Sequence, residues 1–359
     1  MPRKIRPWVV LLIVCHSVVF LAGFLSPYGV ETQNRLLPFA PPTHIHFLDA
    51  QGKPAWPFVF DWRAVPGSYT NYEEDRSVRY PIRFFVRGNP YRLLGIWTVH
   101  THLFGVEGQG RIFLLGTDVY GRDQLSRLLY GGRISLSAGL LAASVALSLG
   151  VLFGALAGYC GRMADDIIMR TAEIFLAVPW FYLLLAARAF LPLHLDSRIV
   201  LFLLVALLGA VGWARPARLV RGIVLSARES DYVLAAKGFG ASDFYLLRVH
   251  ILPQVYGVAA TQAALLIPRL IAAEVTLSYL GLGVSDPQAS WGTMLAGIQN
   301  YFVLQFCWWL LAPAVALIVV LFLYGQLVSS SVVADRKFAR PRQTAPSPSR
   351  LGYTAEPLE

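Results

Sequence analysis

Two histidine pairs, His44-x-His46 and His100-x-His102, have the spacing of a metal site. In extended backbone each pair puts both imidazoles on one face, as two ligands of one ion require. No cysteine or carboxylate cluster adjoins either pair, so surface histidines are the plainer reading and no metal site is expected. Asp118, Arg122 and Asp123 in GTDVYGRD lack the alternating ligand order of a calcium loop and are expected to form a structured turn. Cys15, Cys160 and Cys307 show no CxxC or ligand spacing. There is no HExxH and no G-x-x-x-x-G-K-[ST] phosphate loop. Arg269 and Glu274 stand inside an apolar run, where ionisable groups are costly and face a cavity or a partner. They are read as a polar lining of a route or as a fixed ion pair. No catalytic residue is proposed, so the chain is not read as an enzyme.

The elements around these residues belong in lipid. Of 359 residues, 56% are hydrophobic and 14% charged, where a soluble domain carries roughly a quarter charged residues. The net charge of +10 does not indicate nucleic acid, because the basic residues flank apolar runs as positive-inside topology requires. A bilayer span needs about 20 apolar residues, which predicts six spans near 8–26, 134–158, 167–191, 198–214, 255–280 and 308–329. The first apolar stretch, Trp8 to Leu25, exceeds the ~7–15 residues of a signal-peptide core and is read as an uncleaved span.

The predicted fold is an all-α polytopic membrane protein, N-in and C-in, with an extracytoplasmic insert of mixed strand and loop character. Residues 1–26 form the first span, and 27–133 the insert and lead-in. Residues 134–334 form the core, with a cytoplasmic loop at about 215–253, and 335–359 a disordered basic, Pro/Ser-rich tail. HIHFL and PFVF in the insert read as strands, and Gly67-Ser68 and Gly88-Asn89-Pro90 as turns. Gly150, Gly154 and Gly158 recur every fourth residue, a smooth stripe for helix packing.

The loop contains SDYVLAAKGFGASDFYLLRVHILP, residues 230–253. Ser230 is a candidate N-cap. Tyr232, Ala235, Ala236 and Phe239 share one helical face, aromatic at its ends and bare at its middle. Gly240 suits a left-handed stop. Ser242 and Asp243 restart a helix whose apolar face is Phe244, Leu247 and Ile251, and Leu252-Pro253 ends that piece. Spacing alone permits an interfacial amphipathic helix or a docking face for another protein.

Ala235-Ala236, Gly240, Leu252 and Pro253 resemble the EAA loop of ABC importer permeases, with Leu234 in place of the glutamate and His250 in place of an isoleucine. The flanks YVLAAKGFGAS and RVHILP are similar to the dipeptide/oligopeptide/nickel branch. So are LLGTDVYGRDQLSRLLYGGRISL, GYCGRMADDIIMR and AEVTLSYLGLGVSDPQASWGTML. The likeness covers most of residues 111–310; the insert at 27–110 is unmatched, and the fit weakens after Trp309.

The resemblance implies a type I ABC importer transmembrane domain in a bacterial inner membrane. Its partners would be a second permease, two cytoplasmic ABC ATPases that hold the ATP and magnesium, and a periplasmic binding protein. This chain would bind no cofactor itself. Tyr232, Ala235, Ala236, Phe239, Gly240, Asp243, His250 and Pro253 would couple it to the ATPases. The cargo would be peptide, with nickel or another small solute as the alternative. A secondary transporter would instead need midplane carboxylates and inverted repeats, and neither is found.

Overall fold

A computed structural model describes residues 7–49, 51–67, 71–93, 95–190, 196–299 and 301–338. It opens with α1 (Pro7–Phe20) and α2 (Ala22–Leu25), followed by strands β1 (His46–Leu48), β2 (Pro54–Ala64), β3 (Tyr72–Leu93) and β4 (Trp97–Val106). Then come α3 (Gln124–Cys160), α4 (Arg162–Ala177), α5 (Trp180–Ala189), α6 (Ser197–Gly212) and α7 (Ala214–Arg228). The loop carries α8 (Asp231–Gly238) and α9 (Asp243–Tyr245), joined by a π-helical turn (Leu246–Ile251) to α10 (Leu252–Tyr279). The chain closes with α11 (Trp291–Ala296), α12 (Tyr301–Phe306), a 3-10 turn (Trp308–Leu311) and α13 (Ala312–Phe338).

Among the described residues, three helical stretches are long and apolar enough to cross a membrane: Gln124–Cys160, Asp243–Tyr279 and Trp308–Ser329. A fourth is a pair bent by 43°, Ile199–Gly212 with Ala214–Arg228. The bend has a physical cause: Pro216, in the first turn of α7, has no N–H to give the carbonyl one turn back. The first and third expected spans are broken helices. The third divides at Val178-Pro179, since the residue before a proline avoids helical backbone. The last helix continues to Phe338, four residues into the expected tail, and 339–359 lie outside the described residues.

The bundle is built around α3, which packs against α6, α7 and α10. Its small residues decide how closely these helices approach. Ala138, Ala142 and Ala146 meet Leu204, Leu208, Leu266 and Leu270 in one buried cluster. Gly150, Gly154 and Gly158 face α7. A Cβ on Gly154 would lie 2.5 Å from the Ala217 carbonyl, and one on Gly158 would lie 2.8 Å from Val224 Cβ.

The insert is more regular than the sequence suggested. Its strands form one antiparallel meander in the order β1-β2-β3-β4. HIHFL and PFVF contribute to β1 and β2 as expected, but Gly88-Asn89-Pro90 is no chain-reversing turn. It is a bulge within β3, where the register to β4 shifts between Arg87 and Tyr91. Pro90 cannot donate to a ladder, and Gly88 lets the His102 ring lie against the backbone. Val59, Ile82 and Ile112 fill the sheet's core. Tyr28 Oη accepts a 2.9 Å hydrogen bond from the Ile112 N–H, and His102 Nδ1 lies 2.6 Å from the Ser26 carbonyl. The sheet is therefore seated on the end of α2.

Candidate functional site

The segment 230–253 folds as helix, glycine stop, helix. Gly240 takes φ +87°, and the N–H groups of Gly240 and Ala241 bond to the carbonyls of Lys237 (3.0 Å) and Ala236 (3.1 Å). This is a Schellman ending with glycine in its left-handed position. Ser242 caps α9 by accepting the Tyr245 N–H at 3.3 Å. Ser230 has extended backbone at the N-cap of α8, but its hydroxyl donates to the Ala227 carbonyl at 2.6 Å and leaves the helix uncapped.

One residue anchors α8. Val233 is buried among Val220, Val224, Leu246, Ile251 and Val255, with Ala236 half-buried at the edge of that cluster. The expected face of four is thereby divided. Tyr232, Ala235 and Phe239 point outward with Leu234, and Phe239 is 93% exposed. Ala236 turns partly inward. The bare centre of the outward face is therefore Ala235.

The second piece does not end at Pro253. Residues 243–279 form one continuous helical rod, and Pro253 sits in the first turn of α10 within it. Proline cannot donate to the Val249 carbonyl and would clash with it in a regular helix. The backbone widens into the π-helical turn, where the Leu252 N–H bonds to the Leu247 carbonyl. This wider turn also alters which side chains are buried. Leu246, Ile251 and Val255 face the core, whereas Phe244 is exposed and Leu247 is half-buried.

Polar contacts tie the loop to the bundle. Arg228, the last residue of α7, donates to the Tyr159 carbonyl at 3.0 Å, which satisfies an orphan carbonyl at the end of α3. The Tyr159 hydroxyl donates to Asp243 at 2.6 Å. His250 lies between the rings of Tyr232 and Tyr245, with centroids 6.0 and 5.6 Å away. Gln254 donates to the Tyr232 hydroxyl and, at 3.1 Å, to the His250 carbonyl. Tyr159, Arg228, Leu234, Lys237 and Asp243 line an open cleft of about 440 Å³. Tyr159 and Arg228 carry no local sequence signal for this role, since their partners are 84 and 69 residues away.

Arg269 and Glu274 do not meet. Arg269 is exposed on α10 and borders a small cavity with Arg215 and Phe175. Glu274 is fully buried, which removes it from any lining within this chain. Ser278 donates to its carboxyl group at 2.8 Å, and the Ser135 and Ser290 hydroxyls lie beside it. Glu274 thus joins α10 to α3 and to the cap of α11.

The GTDVYGRD turn is structured as expected. Asp118 accepts the backbone N–H groups of Tyr120 (2.9 Å) and Arg122 (3.0 Å), and Arg122 reaches Asp286 at 2.9 Å. Asp123 caps α3 through the Ser126 N–H at 2.8 Å. Burial pushes the Asp123 carboxyl up to about 6, against the opposing hydrogen bonds from Ser126. Among the described residues no group of His, Cys, Asp and Glu is arranged to hold a metal ion. A distant carboxylate does join the first histidine pair: Glu74 accepts from His44 at 3.1 Å and His46 at 2.9 Å. His102 stands between the Ser26 and Asn89 carbonyls.

A long apolar helical bundle with a protruding helix–glycine–helix segment defines a membrane component, and comparison with known proteins gives its family. The profile of binding-protein-dependent transport system inner membrane components matches residues 150–332, about half of the chain. The chain belongs to that family. It is 38% identical over 195 residues to the dipeptide transport system permease protein DppC of Bacillus subtilis (strain 168), covering 54% of this chain and 58% of that one. It is 36% identical over 212 residues to the oligopeptide transport system permease protein OppC of Haemophilus influenzae, covering 58% and 65%. The chain thus spans less than two thirds of the length of these relatives. A solved structure of the MetNI methionine ABC transporter is similar at 16% identity and a TM-score of 0.40, covering 57% of this chain and 95% of that one. At that score the likeness carries no argument.

Proposed function

We propose that this chain is the transmembrane permease subunit of an ATP-driven importer, forming half of a translocation pathway for dipeptides or oligopeptides. The observation that carries the reading is mechanical. The outward face of Tyr232, Ala235 and Phe239 is held by Val233 and His250 against a helical rod that runs without a break to Tyr279. A protein seated on that face would move the rod as a unit, which is how a rigid element with two arrangements transmits work. The names of the 36–38% identical relatives support peptide as the cargo.

In this reading the domain has the type I importer arrangement with six spans, N-in and C-in, in a bacterial inner membrane. The broken helices α1–α2 and α4–α5 complete the six. The face of α8 receives one of two cytoplasmic ATPases, which supply the ATP and magnesium chemistry. A second permease completes the pathway, and a periplasmic binding protein delivers the peptide. Arg269 faces the route. Purification of the tagged chain from membranes tests the assembly: a second permease and two ATPases should accompany it, with ATP hydrolysis stimulated by a peptide-loaded binding protein. A chain that purifies alone and supports ion-coupled uptake would overturn the reading.

A further inference from the structure

We infer that the tip of the β3–β4 hairpin is a membrane-inserted element that enters the lipid beside the first span. The hairpin packs on the end of that span. Phe85 lies 6.3 Å from Phe24 between ring centroids, His102 reaches the Ser26 carbonyl, and the Tyr91 ring lies directly on Gly23. A Cβ on Gly23 would be 2.2 Å from Tyr91 Cδ2. The contact nearest the tip, Tyr91 on Gly23, is the deepest of these along the helix, whereas His102 meets Ser26 and Phe85 meets Phe24.

Beyond Tyr91 the described residues of the tip are exposed or half-buried. Leu93 pairs with Trp97 and shares the face of Tyr91. Two residues of strand carry that pair roughly 7 Å further. The turn at Gly95 then presents Ile96, 72% exposed, next to Trp97, 60% exposed. Water is a costly environment for two such neighbours. Lipid is not, and tryptophan favours the headgroup level.

Charge agrees with that occupant. From Arg76 to Val106 the sequence has five arginines and no carboxylate. Arg87 and Arg92 are exposed on the strand leading to the tip, where lipid phosphates would meet them. On α1, Val10, Val14 and Val18 are exposed apolar side chains as well. The inference needs α1 and α2 to span the membrane, as proposed above, and is independent of cargo and of ATPase docking.

The test uses the full chain in its purified complex, reconstituted in phosphatidylglycerol-containing vesicles, with Cys15, Cys160 and Cys307 replaced by serine. An environment-sensitive dye is placed in turn at Ile96→Cys, Trp97→Cys, Val14→Cys and Lys53→Cys. Spin-labelled phospholipid should quench the dye at 96 and 97 as it does at 14, and aqueous iodide should quench only the dye at 53. Either tip position suffices if the other variant does not assemble. Iodide quenching at the tip with lipid quenching confined to 14 would overturn the inference. So would a tip dye that neither quencher reaches, since protein would then cover it. Lipid quenching absent even at 14 would remove the span and the inference together.

Discussion

Tyr159, at the end of α3, donates a 2.6 Å hydrogen bond to Asp243, which opens the helical rod leading into α10. The helix at the centre of the bundle is thereby fastened to the element proposed to move. The contact is exposed, so its loss should cost only about 1 kcal/mol. Tyr159→Phe should speed amide exchange across residues 241–246 by roughly fivefold while leaving exchange in α3 unchanged. Unchanged exchange in 241–246 would show that the bond does not hold the loop.

The glycine stripe gives a matched pair of substitutions. Gly154→Ala would press a methyl group into the Ala217 carbonyl and Val220, and overpacking of this kind costs about 1–3 kcal/mol. Gly222→Ala, on α7 with nothing within 4 Å of its Cβ, should instead gain up to about 1 kcal/mol from helix propensity. Thermal unfolding of the two variants in detergent should move in opposite directions. Equal midpoints would contradict the packing described.

The glycine stripe and the Gly240 stop are legible in the sequence because they are local, whereas the Tyr159–Asp243 bond joins residues 84 apart. Gly240 stops a helix through its own backbone, and a four-residue glycine period lies on one face of one helix. Ala236 was misplaced because the outward and inward faces of α8 meet at that residue. The face is assigned by Val233, whose partners come from α7 and α10. Pro253 looked like an ending because local rules cannot anticipate that a π-helical turn absorbs it. The carboxylate that joins His44 and His46 was invisible for a simpler reason: Glu74 is 28 residues beyond His46 and arrives by strand pairing.

That carboxylate predicts an acid limb in the stability of the sheet. Burial works against the Glu74 charge, but hydrogen bonds from His46, His44 and Arg76 outweigh it and hold its pKa below the ordinary value. A depressed folded-state pKa stabilises the fold above the unfolded value and loses that contribution as pH falls through the folded one. The sheet should therefore loosen as pH drops below about 4.5, read as faster amide exchange in β1 and β2. Glu74→Gln should remove this pH dependence. A Gln variant with the same acid limb would assign it elsewhere.

Glu274 yields a prediction about role. Its burial among serines makes it a connector of α10, α3 and α11. Glu274→Gln preserves the shape and one acceptor, and should leave the relative uptake rates of different peptides unchanged. Glu274→Leu leaves the Ser278 hydroxyl without its acceptor and should lower stability by about 1–3 kcal/mol. A changed peptide preference in Glu274→Gln would place the residue in the route after all.

In the proposed function α8 is the seat of another protein and the rod behind it is the lever. Ala235 is the sharpest place to test it, because it is exposed at the centre of the face and outside the buried cluster. Ala235→Arg should reach the membrane in normal amount and retain the second permease, yet purify without stoichiometric ATPase. Full ATPase retention in the Ala235→Arg complex, with transport unchanged, would contradict the account.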